Sequence, residues 1–229
     1  MHPIHTTLVH KTLEPQSKLA AKSPALILLH GRGADENDLL NFAEYLDERL
    51  FLISARAPFP YQQSGGFTWF DNIEMVTPEP KMFTESYEKV TRFIEDVKNG
   101  YPINPAKVFL CGFSMGAILS FAVGLTHADA VAGIIANSGY IPEEAPLKLD
   151  WDSVRGKPFF ISHGLYDPVI PFSFGRRASE LLREAQADVC YREYEMGHQI
   201  GEENLNDIMQ WLTKHLDKGS SPHGQSMGQ

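Results

Sequence analysis

At 229 residues, with 43% hydrophobic and 21% charged side chains, the chain has the composition of one ordinary globular domain with enough apolar material for a core. Its formal charge of −9 excludes a general attraction to nucleic acid or to an anionic membrane surface, because both would repel it. Two cysteines, Cys111 and Cys190, describe neither a disulfide framework nor a zinc site, and their apolar, strand-like surroundings predict buried free thiols.

The first segment, Met1 to Leu13, alternates histidine, threonine and charge. It lacks the unbroken apolar stretch of a secretory signal, and no segment approaches the length of a membrane span. These features predict a cytoplasmic protein without membrane insertion. His2, His5 and His10 match no metal-ligand spacing and are expected to be solvated.

Pro24 to His30 is a short apolar run ending in Gly31-Arg32-Gly33, which reads as a strand buried on both faces and stopped by a flexible turn. A helical pattern with acidic residues in its first turn begins at Asp35, and Leu50 to Ser54 reads as the next strand. From Ala55 to about Pro80 prolines and glycines interrupt Phe59, Tyr61, Phe67, Trp69 and Phe70. An ordered loop of this length in a compact domain is usually functional. Met75 and Met82 are expected to be packing residues.

Helical spacing returns from Phe83 to Lys98. Lys107 to Cys111 then reads as a strand, followed at once by Gly112-Phe113-Ser114-Met115-Gly116 and an apolar helix to about Thr126. Further strands are expected at Val131 to Ala136, Pro158 to Ser162 and Val189 to Glu195, with helices at Phe174 to Ala187 and Glu202 to Leu216. This alternation implies βαβ units and a mainly parallel sheet flanked by helices on both faces. Residues 1–216 are read as a single α/β domain, and the Gly- and Ser-rich residues 217–229 as a disordered tail.

Gly112 to Gly116 fits G-x-S-x-G in the context where that pattern has mechanical meaning, between a strand and a helix. Taken alone, it also fits a glycine-rich turn with a capping serine. Two later segments favour chemistry. His163-Gly164-Leu165-Tyr166-Asp167 follows one strand and Met196-Gly197-His198 follows the next, which is the order serine, acid, histidine. A serine hydroxyl barely ionises near neutrality, so Ser114 needs a base; His198 is the candidate, with Asp167 to orient it. The alternatives are a turn role for Asp167 before Pro168 and a helix-entry or core role for His198. An anionic intermediate also needs donors, and the backbone amides of Met115 and Arg32 are the candidates. His30 is expected to brace its loop, and Cys111 to fill core.

With these motifs assembled, the chain resembles the phospholipase/carboxylesterase family of α/β-hydrolases, which includes bacterial carboxylesterases and acyl-protein thioesterases. The resemblance rests on Leu28 to Ala34, Trp69-Phe70-Asp71, Gly112 to Ala117, His163 to Pro171 and Met196 to His198, spread over nearly the whole domain. It implies the α/β-hydrolase fold, a small-molecule ester or thioester substrate, no cofactor or metal, and often a homodimer. It also implies that Gly31 and the loop bearing Trp69 and Phe70 border the substrate cleft. Arg32 departs from the pattern, since the thioesterase branch commonly has leucine there; this favours a general carboxylesterase of short to medium acyl esters over an acyl-protein thioesterase or lysophospholipase.

Overall fold

The computed structural model describes residues 4–17, 22–63, 65–74 and 76–218, so His2, Met75 and residues 219–229 of the expected tail lie outside the described residues. In chain order the strands are β1 (His10–Leu13), β2 (Ser23–Leu29), β3 (Phe51–Ala55), β4 (Phe59–Tyr61), β5 (Gly66–Thr68), β6 (Asn72–Glu74), β7 (Thr77–Pro78), β8 (Ile103–Phe113), β9 (Gly133–Asn137), β10 (Pro158–Gly164) and β11 (Asp188–Tyr194). The α-helices are α1 (Pro80–Gly100), α2 (Met115–Thr126), α3 (Ser173–Glu184) and α4 (Glu202–Asp217).

Seven strands form the main sheet in the order β1-β3-β2-β8-β9-β10-β11, all parallel except the pairing of β1 with β3. Side chains alternate across it, as a strand's two-residue period requires. On β2, Ala25, Ile27 and Leu29 join the layer covered by α1, α2 and α3, whereas Leu26 and Leu28 join the layer under α4 and a short 3-10 helix at Leu39–Tyr45. Both faces are therefore covered, which explains why the central strands read as unbroken apolar runs. Helix α1 starts where Pro80 occupies its first turn and the Glu79 carboxylate accepts from the Met82 amide. It buries Phe83, Tyr87, Val90, Ile94 and Val97 on one stripe.

The structure departs from the sequence reading in several places. The helix expected from Asp35 is instead a 3-10 helix that starts at Leu39, and no side chain caps it. The stretch from Ala55 to Pro80 folds into two small hairpins, β4–β5 and β6–β7. His10 is not solvated: it lies on β1, half-buried, with Nε2 bonded to the Tyr101 hydroxyl at 2.7 Å and its ring edge-on to Phe93. Helix α4 runs one residue into the expected tail, to Asp217. Cys111 is a buried free thiol, pushed up to about 12 by burial, while Cys190 is half-buried and also unbridged. No helix among the described residues is long and apolar enough to cross a membrane.

Candidate active site

The chain lays down β2 and β3, then returns to place β8 on the other side of β2. The sheet thus reverses direction of growth between β2 and β8, and open α/β sheets form ligand crevices outside the strands' C-terminal ends at such a point. Strand β2 is followed there by His30-Gly31-Arg32, and β8 by Ser114.

Ser114 sits at φ 55° and ψ −116°, a sparsely populated conformation that costs about 1–3 kcal/mol and lifts its side chain out of the strand-to-helix turn. The flanking glycines permit it. A Cβ at Gly116 would strike the backbone carbonyl of Leu29, and one at Gly112 would strike the backbone of Gly116. Asn137 ties the elbow down from β9: its carbonyl accepts from the Ser114 amide at 2.9 Å, its Nδ2 donates to the Gly112 carbonyl at 3.2 Å, and its Oδ1 accepts from the Ser162 hydroxyl at 2.6 Å.

The structure brings Ser114, His198 and Asp167 together. Ser114 Oγ lies 2.9 Å from His198 Nε2, and His198 Nδ1 lies 2.7 Å from Asp167 Oδ2. A carboxylate only accepts, so Nδ1 carries the proton and Nε2 faces the serine hydroxyl as an acceptor. The amides of Val169 and Ile170 donate to Asp167 Oδ1 at 2.8 and 2.9 Å. Burial alone would raise the Asp167 carboxyl, but the bonds from His198 and these two amides outweigh it and hold it below its ordinary range. The Phe113 ring packs 4.9 Å from the His198 ring and limits its tilt.

A cleft of about 270 Å³ opens over Ser114, lined among others by Gly31, Arg32, Phe113, Met115 and His198. The Gly31–Ala34 loop is fastened to β5, with the Gly33 amide donating to the Phe67 carbonyl at 2.8 Å and the Phe67 amide donating to the Ala34 carbonyl at 2.9 Å. Gly33 takes φ 80°, where a side chain would be strained. The exposed Arg32 guanidinium lies 5.8 Å over the Tyr61 ring. Met115 is the first residue of α2, so its amide lies at the helix's positive end.

Trp69 and Phe70 do not line this cleft, contrary to the expectation. Both are fully buried beneath the site: Trp69 Nε1 donates to the His30 carbonyl at 2.8 Å, and Phe70 packs edge-on against Phe83. None of the loop's aromatic rings reaches the cleft wall; that segment supplies Asn72 instead. Residue types so large and apolar were drawn into the core because the hairpins fold back on it. The lining residues that the sequence reading missed include Asp38, Ile118, Tyr140, Val169 and Ile170. Tyr140 was findable, since it follows the C-terminal end of β9 beside the switch point. Burial pushes the Asp38 carboxyl up.

The phospholipase/carboxylesterase family model matches residues 10–216. Over 225 residues the chain is 28% identical to acyl-protein thioesterase 1 of Candida albicans, covering 89% of this chain and 96% of that protein. Over 165 residues it is 30% identical to carboxylesterase SOBER1 of Arabidopsis thaliana, covering 67% of this chain and 70% of that one. The crystal structure of the Bacillus cereus carboxylesterase shares the fold, with a TM-score of 0.80 at 22% identity over 91% of this chain and 94% of that one.

Proposed function

The chain belongs to the phospholipase/carboxylesterase family of α/β-hydrolases, and on that footing we propose that it is a serine carboxylesterase of short to medium acyl esters, acting through Ser114, His198 and Asp167. It is a hydrolase of ester bonds by family. The observation that carries the reading is the hydrogen-bonded chain Ser114–His198–Asp167 opening onto the cleft.

Ser114 Oγ attacks the ester carbonyl carbon while His198 Nε2 takes the hydroxyl proton. The carbonyl π electrons move to its oxygen, and the backbone amides of Arg32 and Met115 are the donors proposed to hold that oxyanion. As the oxyanion collapses, the bond to the alkoxide breaks and His198 gives it the proton, leaving an acyl-serine. Water then attacks along the same route, with His198 again as base, and the acid departs. Asp167 stabilises the transient imidazolium and keeps the proton on Nδ1.

A thioesterase or lysophospholipase reading draws on the relatives named acyl-protein thioesterase 1. The small cleft and the charged Arg32 at its wall favour short esters instead. The same mechanism serves both.

Ser114→Ala is expected to cut turnover of p-nitrophenyl butyrate by roughly a millionfold, since no other serine, threonine or cysteine is among the described residues that line the cleft. A fluorophosphonate probe is expected to label Ser114 in the wild type and nothing in the variant. Retention of more than about a tenth of wild-type turnover would refute the assignment. A palmitoyl thioester turned over faster than any short ester would shift the reading to thioesterase.

A further inference from the structure

A second cavity, of about 290 Å³, lies beside the cleft, and Tyr140 lines both. Tyr140 is the one described residue the two linings share. Two features fix it there. Its chain segment is pressed against the elbow, because Ser138 takes φ 51° and Gly139 approaches so closely that a Cβ would collide with Ala117. The ring itself packs 5.9 Å from Phe174 of α3.

Tyr140 is only 3% exposed, yet its hydroxyl has no hydrogen-bond partner among the described residues. Packing alone holds the ring, so shortening it leaves no polar partner stranded. Beyond it the second cavity offers an apolar floor of Val76, Ile141, Phe174 and Leu181. Of the charges at its edge, Arg177 is paired to Glu143 through two bonds of 2.7 and 2.9 Å, and Glu144 accepts from the Thr77 hydroxyl at 2.7 Å. An acyl chain lying on the apolar floor would leave these edge groups with their partners.

We propose that Tyr140 sets the upper length of the acyl group by closing the cleft against the second cavity, an inference that rests on the esterase reading. With the ring present, a chain fills the cleft and stops. Without it, the space reachable from Ser114 roughly doubles, from about 270 Å³ by a further 290 Å³. Each further methylene buried there is worth about a factor of four in kcat/KM.

The test is the ratio of kcat/KM for p-nitrophenyl octanoate to that for the butyrate, which reports length preference whatever the overall rate. Tyr140→Ala is expected to raise the ratio at least about tenfold. Adding Leu181→Trp to that variant is expected to fill the second cavity and bring the ratio back down. Tyr140→Phe keeps the ring and is expected to keep the wild-type ratio. If thermal unfolding shows Tyr140→Ala to be unfolded, Tyr140→Leu is expected to give a smaller rise of the same sign.

An unchanged ratio in whichever opening variant folds overturns the proposal. So does a rise that Leu181→Trp fails to reverse, or a rise as large in Tyr140→Phe as in Tyr140→Ala. Fluorophosphonate labelling of Ser114 separates the two readings: loss of labelling in the wild type defeats the esterase assignment, whereas labelling with an unmoved ratio defeats only the role of Tyr140.

Discussion

Backbone groups occupy both ring nitrogens of His30: Nε2 accepts from the Ala57 amide at 3.0 Å, so Nδ1 carries the proton and donates to the Gly31 carbonyl at 2.6 Å. Burial lowers its readiness to protonate, which suits a neutral brace rather than a reacting base. Trp69 supports the same loop from below through its bond to the His30 carbonyl. The sequence pattern set Trp69 at the border of the cleft, but a large ring beside a cleft motif cannot reveal whether it faces substrate or core. Burial decides that here. Trp69→Phe keeps most of the ring and deletes the N–H, so stability should fall by only about 1–2 kcal/mol. The Gly31–Arg32 backbone, however, would lose a support on the reading that the Arg32 amide holds the oxyanion. Steady-state kinetics with a butyrate ester should show kcat down roughly tenfold to a hundredfold with KM little changed, because a small misplacement of catalytic donors is costly. An unaltered kcat would reduce Trp69 to core filling.

At the scale of elements, every central strand and long helix was legible because burial on both faces of the sheet, or on one stripe of a helix, writes a period into the sequence. Strand β1 was not. It is an edge strand whose residues alternate half-buried and exposed, so His10 and Thr12 supply no apolar signal. The hairpins of residues 59–78 were also hidden, their strands being two or three residues long. The ion pair of Glu36 with Arg56 holds the segment after β2 to the segment after β3, with two bonds of 2.5 Å. The Glu36 side chain is 4% exposed and Arg56 32% exposed. Arg56→Ala should destabilise the fold by ~2–3 kcal/mol, less than the roughly 3–5 kcal/mol of a wholly buried pair because Arg56 keeps contact with water. The bond from Arg56 holds the Glu36 carboxyl below its ordinary value. A depressed carboxyl stabilises the folded state above its unfolded pKa, about 4.3, and loses that contribution as pH falls through the folded value. Urea melts of wild type and variant should therefore differ by a constant amount near neutrality and converge below about pH 4. A gap that persisted in acid would assign the effect to packing of Arg56 on Phe67, whose ring lies 4.6 Å away.

For the molecule as a whole, the order of strands was the decisive unknown that periodicity could not supply. The order β3-β2-β8 brings the loops after Leu29 and Phe113 together, and the parallel run β8-β9-β10-β11 delivers Ser114, Tyr140, Asp167 and His198 to the same end of the sheet. The motifs suggested that convergence only because their order in the chain matches it. The described lining of the cleft comes from strand ends, connecting loops and the first turn of α2, with no inserted helix contributing to it. Enzymes that hide their site under a mobile cover gain activity when that cover opens. Here Ser114 is reached through a cleft that is already formed, with Val169 on its rim 55% exposed. The formal charge of −9 also gives the surface no general attraction to an anionic lipid interface. Both properties predict the same behaviour with a sparingly soluble ester such as tributyrin. The rate should rise hyperbolically with dissolved substrate and level off at the solubility limit, because emulsion droplets add no accessible substrate and trigger no opening. A pH-stat titration through that limit measures it. An abrupt increase on passing into the emulsion would show that an interface opens or captures the site, and would contradict the preformed cleft.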